Sequence, residues 1–505
     1  MLRLIDDFLN RITMYRLALY YLLALIGIAA IFGAIGWMPY APLPLIASAL
    51  IITGICLLAN RIFAAAFGAP ANAESVYITA LILALIISPI SLAPFDWGGF
   101  AFLAWASVFA MASKYILAAN RKHLFNPAAI AVVITAFTLN QYASWWIGGN
   151  LPMMAFVVAG GLLIVRKLQR FDLVLAFLAA ALASIVLTNL AFDPWTTVWK
   201  ALIHTPLFFF ASIMLTEPLT TPPTRQLRIA YGALVGALFS PAIHLGPVYA
   251  TPELALVVGN LFSYAASPKK KYLLNLTAKT KTGEGTYDFA FATGQKFDFR
   301  PGQYMEWTVA PASPWPLLGG HDSRGNRRYF TIASSPTEPE LHLGVKFYEN
   351  SSSFKKRMLA LKPGDAVMGG QLAGDFTLPK DPRTKLVFIA GGIGITPFRS
   401  MVKYLSDRRE KRDVVLLYSN QTPEEISYRE VFDEAARTIG LRTAYRNTAT
   451  EGRMDAGFVT REVPDYRDRR FYISGTHGMV EAFKKTLAEL GVPRRQVKTD
   501  FFPGF

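Results

Sequence analysis

The chain predicts a polytopic α-helical membrane domain followed by a soluble antiparallel β-barrel and a soluble α/β domain. Three observations predict this. Residues from about 14 to 266 are dominated by Leu, Ala, Ile, Phe and Val, in runs approaching the ~20 residues a bilayer-spanning helix needs. Residues 272 to about 380 carry short stretches of alternating apolar and polar residues, the period of strands. From Asp381 onward apolar strands alternate with amphipathic helices, the pattern of a parallel sheet. The expected boundaries are 1–266 for the membrane domain, 267–271 for a basic linker, 272–380 for the barrel and 381–505 for the α/β domain.

In the first half, hydropathy marks about ten apolar segments, centred near Leu25, Ile52, Leu83, Ala106, Val133, Val158, Ala180, Ser212, Leu234 and Val257. Basic residues fall on one side of that succession. Arg16, Arg61, Lys114, Arg121, Lys122, Arg166, Lys167, Arg170, Arg225, Arg228 and Lys269 to Lys271 share it, while the opposite loops hold only Lys200. This positive-inside pattern predicts a multi-pass protein of the inner or plasma membrane, with both termini and the soluble half cytoplasmic. The net charge of +16 is then topology plus a solvated surface, so nucleic acid is not an expected partner. The expected contact is the lipid bilayer, and Ser267-Pro268-Lys269-Lys270-Lys271 suits anionic headgroups. The first apolar run is long and Arg-flanked, without the small-residue site of a cleaved signal peptide. A single cysteine, Cys56, allows neither an internal disulfide nor a cysteine-ligated iron–sulfur cluster, and no metal site is expected.

The soluble half begins with strands expected at Leu273 to Lys279, Thr286 to Phe291, Gln303 to Val309, Tyr329 to Ser334 and Leu341 to Phe347. The stretch Arg327-Arg328-Tyr329-Phe330-Thr331-Ile332-Ala333-Ser334-Ser335-Pro336 alternates bulky and small residues and stops at a turn. It supplies a fixed cation at Arg328, an aromatic face at Phe330 and hydroxyls at Thr331 and Ser334. Such groups hold a diphosphate, an isoalloxazine ring and a ribityl chain. Ser351-Ser352-Ser353-Phe354 opens a short helix, where the hydroxyls of Ser352 and Ser353 and the free N–H groups suit the diphosphate or a plain N-cap.

Next, Lys385 to Ala390 is a short apolar strand that runs into Gly391-Gly392-Ile393-Gly394-Ile395-Thr396-Pro397 and an amphipathic helix from Phe398 to about Asp407. Gly391, Gly392 and Gly394 let backbone approach a pyrophosphate, Pro397 is tolerated in a first turn, and Thr396 stands at the helix N-terminus that faces the anion. The strand Val414 to Tyr418 ends at Ser419-Asn420-Gln421, the expected place of the adenosine ribose. Neither an acidic residue nor an arginine stands there, which leaves NADH favoured only slightly over NADPH.

With these residues in view, the soluble half resembles the ferredoxin–NADP reductase superfamily, whose flavin strand reads Arg-x-Tyr-(Ser/Thr) followed by Ser. The resemblance implies an FAD-binding barrel and an NAD(P)-binding α/β domain. It also implies that Phe330, standing for the usual Tyr, keeps ring packing and loses a hydroxyl. Pro301-Gly302-Gln303-Tyr304 matches a strand-opening motif of the superfamily, and Gly374-Asp375-Phe376-Thr377-Leu378-Pro379 resembles the strand that ends its barrel. The family's Cys-Gly-Pro motif at the nicotinamide reads Ser474-Gly475-Thr476 here, which makes Ser474 the candidate catalytic residue and Gly475 a cofactor contact. A terminal aromatic covers the flavin in some relatives, so Phe505 is a candidate gate.

The membrane half carries Asn126-Pro127 at the start of one segment and Thr216-Glu217-Pro218-Leu219-Thr220 at the end of another. Together they resemble the B subunit of Na+-translocating NADH:quinone reductase and the D subunit of the Rnf complex. The outer loop Asn140 to Asn150 lacks the Ser-Gly-Ala-Thr that holds a covalent flavin in that family. The resemblance therefore implies at most an additional non-covalent flavin near Asn126 and Glu217. Haem stacked across the bilayer needs paired histidines, and the first 266 residues hold only His123, His204 and His244.

The expected function is a membrane-bound flavoprotein oxidoreductase that takes hydride from cytoplasmic NAD(P)H onto FAD and passes electrons into or across the membrane. A flavinylated extracytoplasmic redox protein is one acceptor and a membrane quinone the alternative. A transporter governed by a nucleotide-sensing domain is the reading from another class.

Overall fold

The computed structural model describes residues 5–6, 8–9, 12–67, 73–119, 122–267, 271–294, 297–309 and 326–500. The described residues divide into two compact units, one up to Lys271 and one from Tyr272 onward.

The first unit is helical. Its principal helices run Met14–Ala34, Pro42–Ala66, Ala73–Ile86, Trp97–Ile116, Pro127–Leu139, Leu151–Leu168, Phe171–Leu187, Pro194–His204, Arg225–Ala237 and Pro252–Ala266. Prolines and short polar residues set several starts. The Asn126 side chain accepts from the Ala128 and Ala129 amides ahead of Pro127, and Asp193 and Thr251 cap their helices ahead of Pro194 and Pro252. Two hairpins interrupt the helices: β1 (Ala118–Ala119) with β2 (Lys122–His123), and β3 (His244–Leu245) with β4 (Val248–Tyr249).

About ten spans were expected, and that number is not shown. Among the described residues four helices are long and apolar enough to cross a membrane: Met14–Ala34, Pro42–Ala66, Trp97–Ile116 and Leu151–Leu168. A fifth is reached if Pro194–His204 and Leu207–Met214, bent by 66° at their junction, count as one. Each of the other apolar centres lies in a helix, but a shorter one. Proline starts and polar caps cut the apolar runs into helices such as Pro127–Leu139, with 13 residues.

Close backbone approach holds part of this unit together. A β-carbon on Gly232 or Gly236 would lie 2.6 Å or 2.5 Å from the carbonyl oxygens of Leu173 and Phe177. Small residues four apart thus let the helices Arg225–Ala237 and Phe171–Leu187 touch. Arg228 and Asp172 pair across the same contact at 2.7 Å.

The second unit contains two sheets. Strands β5 (Tyr272–Gly283), β6 (Thr286–Ala292), β7 (Tyr304–Thr308), β8 (Arg327–Thr331), β9 (Leu341–Lys346) and β10 (Ala366–Ala373) form an antiparallel sheet in the order β8-β7-β10-β5-β6-β9. Its core includes Leu274, Phe289, Phe291, Met305 and Trp307 from the inward face of the alternating pattern, with Phe354 and Met358 from the helix Ser353–Ala360. The residues Gly374 to Pro379, expected as the last barrel strand, lie outside any strand. The role falls to β10, after which Gly374, with φ +118°, turns the chain away.

Strands β11 (Leu386–Gly391), β12 (Val414–Asn420), β13 (Arg442–Asn447), β14 (Arg470–Ser474) and β15 (Val497–Thr499) form a parallel sheet in the order β13-β12-β11-β14-β15. The chain winds outward from β11 in one direction and then returns to β14 on the other side. That reversal opens a crevice at the carboxyl ends of β11 and β14, where open α/β sheets bind ligands. The strands between are apolar because helices cover both faces, leaving Leu386 to Ala390 fully buried.

Candidate functional site

At the carboxyl end of β11, Gly391 leads into a tight 3-10 turn, Gly392–Ile395, and then the helix Thr396–Asp407. Gly392 adopts φ +52°, a region that favours glycine. A β-carbon on Gly391 would lie 2.1 Å from the Met479 sulfur, and one on Gly394 would lie 2.5 Å from the Ser474 carbonyl oxygen. The spacing of these glycines is therefore dictated by the chain that crosses them from β14. Thr396 and Pro397 open the helix as expected, and the Thr396 hydroxyl donates to the Ile393 carbonyl at 3.3 Å.

In register across the sheet, Gly391 pairs with Ser419, and Ser419 with Arg446. The Ser419 hydroxyl donates to the Ala390 carbonyl at 3.4 Å. Asn420 is buried, with no hydrogen-bond partner for its side-chain oxygen or nitrogen among the described residues. A buried amide left open at a crevice edge fits a ligand's hydroxyls.

Ser474 ends β14, and Gly475 follows it. The Ser474 hydroxyl lies 3.1 Å from the Asp500 carboxylate, to which it donates, and the Asp500 amide bonds back to the Ile473 carbonyl. Reading the sequence did not find Asp500, because only the return of β15 beside β14 brings position 500 to position 474. Phe505 lies outside the described residues.

On the barrel, β8 carries the flavin-strand residues. Arg328 is buried, its guanidinium 5.4 Å from the centre of the Phe354 ring, and Phe330 packs against that ring at 5.8 Å. Phe354 belongs to the helix Ser353–Ala360, which Ser352 caps by accepting from the Lys355 amide. Two expected contacts, Arg328 and Phe330, thus meet on the ring of Phe354, which follows directly on Ser352 and Ser353 at the helix start. A buried cation beside a capped helix start fits an anionic diphosphate. Thr331 and Ser334 are buried too, and the Ser334 hydroxyl accepts from the His342 amide at 3.0 Å.

In the helical unit, Glu217 lies 3.4 Å from His123 and accepts from the Thr220 hydroxyl. The Asn126 side chain serves as a helix cap while its backbone N–H donates to the Asn260 side-chain oxygen, and the Asn260 side chain donates in turn to the Tyr231 hydroxyl. Of these, His123, Thr220 and Asn260 line a cavity of about 10 Å³, with Lys122, Ser263 and Tyr264 among others. That volume holds one water molecule. Neither Asn126 nor Glu217 lines that cavity, and both side chains are engaged in hydrogen bonds within the unit.

Residues 388–485 match the model of the oxidoreductase NAD-binding domain. The chain is 28% identical over 207 residues to an NADPH oxidoreductase of Mycobacterium tuberculosis, covering 40% of this chain and 52% of that protein. It is 30% identical over 303 residues to a flavohemoprotein of Pseudomonas putida, covering 55% of this chain and 76% of that one. Among solved structures, the flavohem-like FAD/NAD-binding domain of a nitric oxide dioxygenase from Vibrio cholerae aligns with TM-score 0.39 at 20% identity, over 46% of this chain and 98% of that one. The chain spans about half the length of several curated relatives that it matches, 52% in the mycobacterial case.

Fold and site together define a flavoprotein oxidoreductase module that binds FAD and NAD(P)H. The chain belongs to the family of FAD-containing, NAD(P)H-dependent reductases of the ferredoxin reductase and flavohemoprotein type.

Proposed function

We propose that this chain is a membrane-bound reductase that takes hydride from NAD(P)H and passes the electrons to an acceptor in or beyond the bilayer. One observation carries the membrane half of this reading. Of the large apolar side chains exposed among the described residues, all but Leu273, Tyr348 and Leu359 belong to the helical unit. Leu50, Trp195 and Leu190 are each more than 60% exposed. An apolar surface of that extent is stable against lipid and not against water. The long helices Met14–Ala34 and Pro42–Ala66 support the same conclusion.

Bound FAD supplies a centre that accepts two electrons as hydride and releases them singly. The chain's own residues would orient the reactants. Arg328, with Ser352 and Ser353, would neutralise the FAD diphosphate, and Phe330, Thr331 and Ser334 would line the flavin side of the barrel. Backbone N–H groups of Gly391 to Pro397 would hold the nicotinamide nucleotide's pyrophosphate, with Ser419 and Asn420 at its adenosine ribose. Ser474, oriented by Asp500 and followed by Gly475, would stand at the nicotinamide. The basic loops would face the cytoplasm together with the reductase module.

Inverted membrane vesicles carrying the full chain test this. NADH or NADPH added outside should reduce either an impermeant acceptor sealed within or a quinone in the bilayer. Reduction of the sealed acceptor supports a transmembrane route to an extracytoplasmic redox protein, and quinol formation alone supports the quinone reductase. Nucleotide oxidation that reduces neither, or a chain released from vesicles by alkaline washing, overturns the proposal.

A further inference from the structure

A second polar cluster, outside the residues assigned above, joins the barrel to the nucleotide-binding sheet. Asp288 on β6 is buried. One of its carboxylate oxygens accepts from the Tyr428 hydroxyl at 2.7 Å, and the other lies 2.5 Å from His342 Nδ1 on β9. Tyr428 caps the helix Arg429–Ile439 in the left-handed conformation, φ +63°, although it is a buried aromatic. A bulky side chain holds that conformation only where its surroundings over-determine it.

The surroundings are the nucleotide loop and the end of the flavin strand. Gly344 on β9 pairs with Asp288, and a β-carbon there would lie 2.5 Å from the Tyr428 hydroxyl and 2.7 Å from the Thr396 methyl. Barrel and loop therefore touch with no room for a side chain. One turn along the helix, the Arg399 guanidinium stands 5.6 Å from the Tyr428 ring centre and donates to the Ala333 carbonyl at 3.1 Å. It also donates to Glu338 at 2.8 Å, while the Ser400 hydroxyl donates to the Ser334 carbonyl at 2.6 Å. Ala333 and Ser334 directly follow β8. The first turn of the nucleotide helix is thereby bonded to the turn that ends the flavin strand.

We propose that Asp288, Tyr428 and Arg399 form a positioning clamp that fixes the nucleotide loop against the flavin strand for hydride transfer. The clamp rests on the reductase reading. None of the three residues is assigned to a reacting atom. Their work is to hold Thr396 and Ser334 at a set separation, since a misplacement of about 1 Å costs up to ~100-fold in rate. Tyr428 and Asp288 do this jointly, because removing the hydroxyl leaves one buried carboxylate oxygen without its donor.

The test uses full-length, detergent-purified protein and the variants Tyr428→Phe, Asp288→Asn and Arg399→Lys. Flavin content, nucleotide affinity, the rate of flavin reduction with protiated and deuterated nucleotide, and amide exchange over residues 391–400 are measured. The clamp predicts flavin content and nucleotide affinity within about twofold of the parent. It also predicts a reduction rate lower by roughly tenfold, a larger isotope effect and faster amide exchange in that segment. Unchanged rate and exchange in both Tyr428→Phe and Asp288→Asn overturn the clamp. Loss of flavin in Tyr428→Phe also overturns it, since that marks a structural role. A parent whose flavin neither NADH nor NADPH reduces sinks the reductase reading instead.

Discussion

A β-carbon on Gly394 would come within 2.5 Å of the carbonyl oxygen of Ser474, so the turn after β11 and the end of β14 meet backbone to backbone. The contact joins the two halves of the sheet at its crevice. It ties the residue expected at the pyrophosphate to the residue expected at the nicotinamide.

Gly394→Ala should therefore damage nucleotide binding and spare the barrel. Overpacking against backbone, with no flexible side chain to yield, costs about 1–3 kcal/mol. We expect kcat/KM for NAD(P)H to fall at least tenfold with bound FAD unchanged, measured by steady-state kinetics and flavin absorbance. Normal kcat/KM would show that the loop does not need this approach.

The Ser474–Asp500 hydrogen bond leads to a paired prediction. Ser474→Ala and Asp500→Asn should each slow flavin reduction by roughly tenfold while leaving nucleotide affinity near that of the parent. Stopped-flow reduction of the two variants and the double variant separates independent effects from shared ones. If the serine acts through the pair, the double variant should lose little more than either single one.

Arg469 is 2% exposed and bridges Asp413 and Asp465, donating at 2.8 Å to the first. The arginine bond, with help from Lys385, holds the Asp465 carboxyl well below the usual carboxylate range. Arg469→Met removes the buried member and leaves two carboxylates that still reach solvent. The expected loss is about 3 kcal/mol, the low end for breaking such a pair. A melting shift of less than one or two degrees would show that the bridge contributes little.

Asp288 sets a pH dependence. Burial alone would raise its pKa, but the His342 bond, the Tyr428 hydroxyl and Arg399 outweigh burial and hold it below the usual value. A carboxylate depressed in the folded state contributes stability above its unfolded pKa, near ~4, and loses it as pH falls through the folded value. The temperature of thermal flavin release should therefore drop more steeply from pH 5 to about pH 3 in the parent than in Asp288→Asn. Parallel slopes would remove Asp288 from the account.

Leu50, 67% exposed on Pro42–Ala66, tests the membrane surface. Leu50→Asp should cost about 3 kcal/mol of insertion at a lipid-facing position. The expected result is a fall in membrane-fraction yield, read by quantitative blotting. An unchanged yield would mean that this face does not meet lipid.

Much of the reductase half was legible in the residue pattern because its signals are local. The glycines at 391, 392 and 394 follow an apolar strand and precede a helix, and both facts lie within a few residues. Arg328 and Ser352 were likewise found one motif at a time. The approach of Arg328 to Phe354 was not, since it depends on β8 and the helix Ser353–Ala360 folding beside each other. Helix length was hidden for a related reason. Hydropathy registers apolar runs such as the one around Val133, but the cap at Asn126 and the turn after Leu139 decide that its helix has 13 residues.

Local order along the chain determined the strands and helices of the second unit and the glycine loop after β11, because those depend on periodicity and on residues a few positions apart. Tertiary structure alone decided that Asp500 reaches Ser474, that Asp288 meets Tyr428 140 residues away, and that Gly344 leaves space for Thr396. Such contacts depend on strand order and on the return of distant segments, which composition and spacing do not encode.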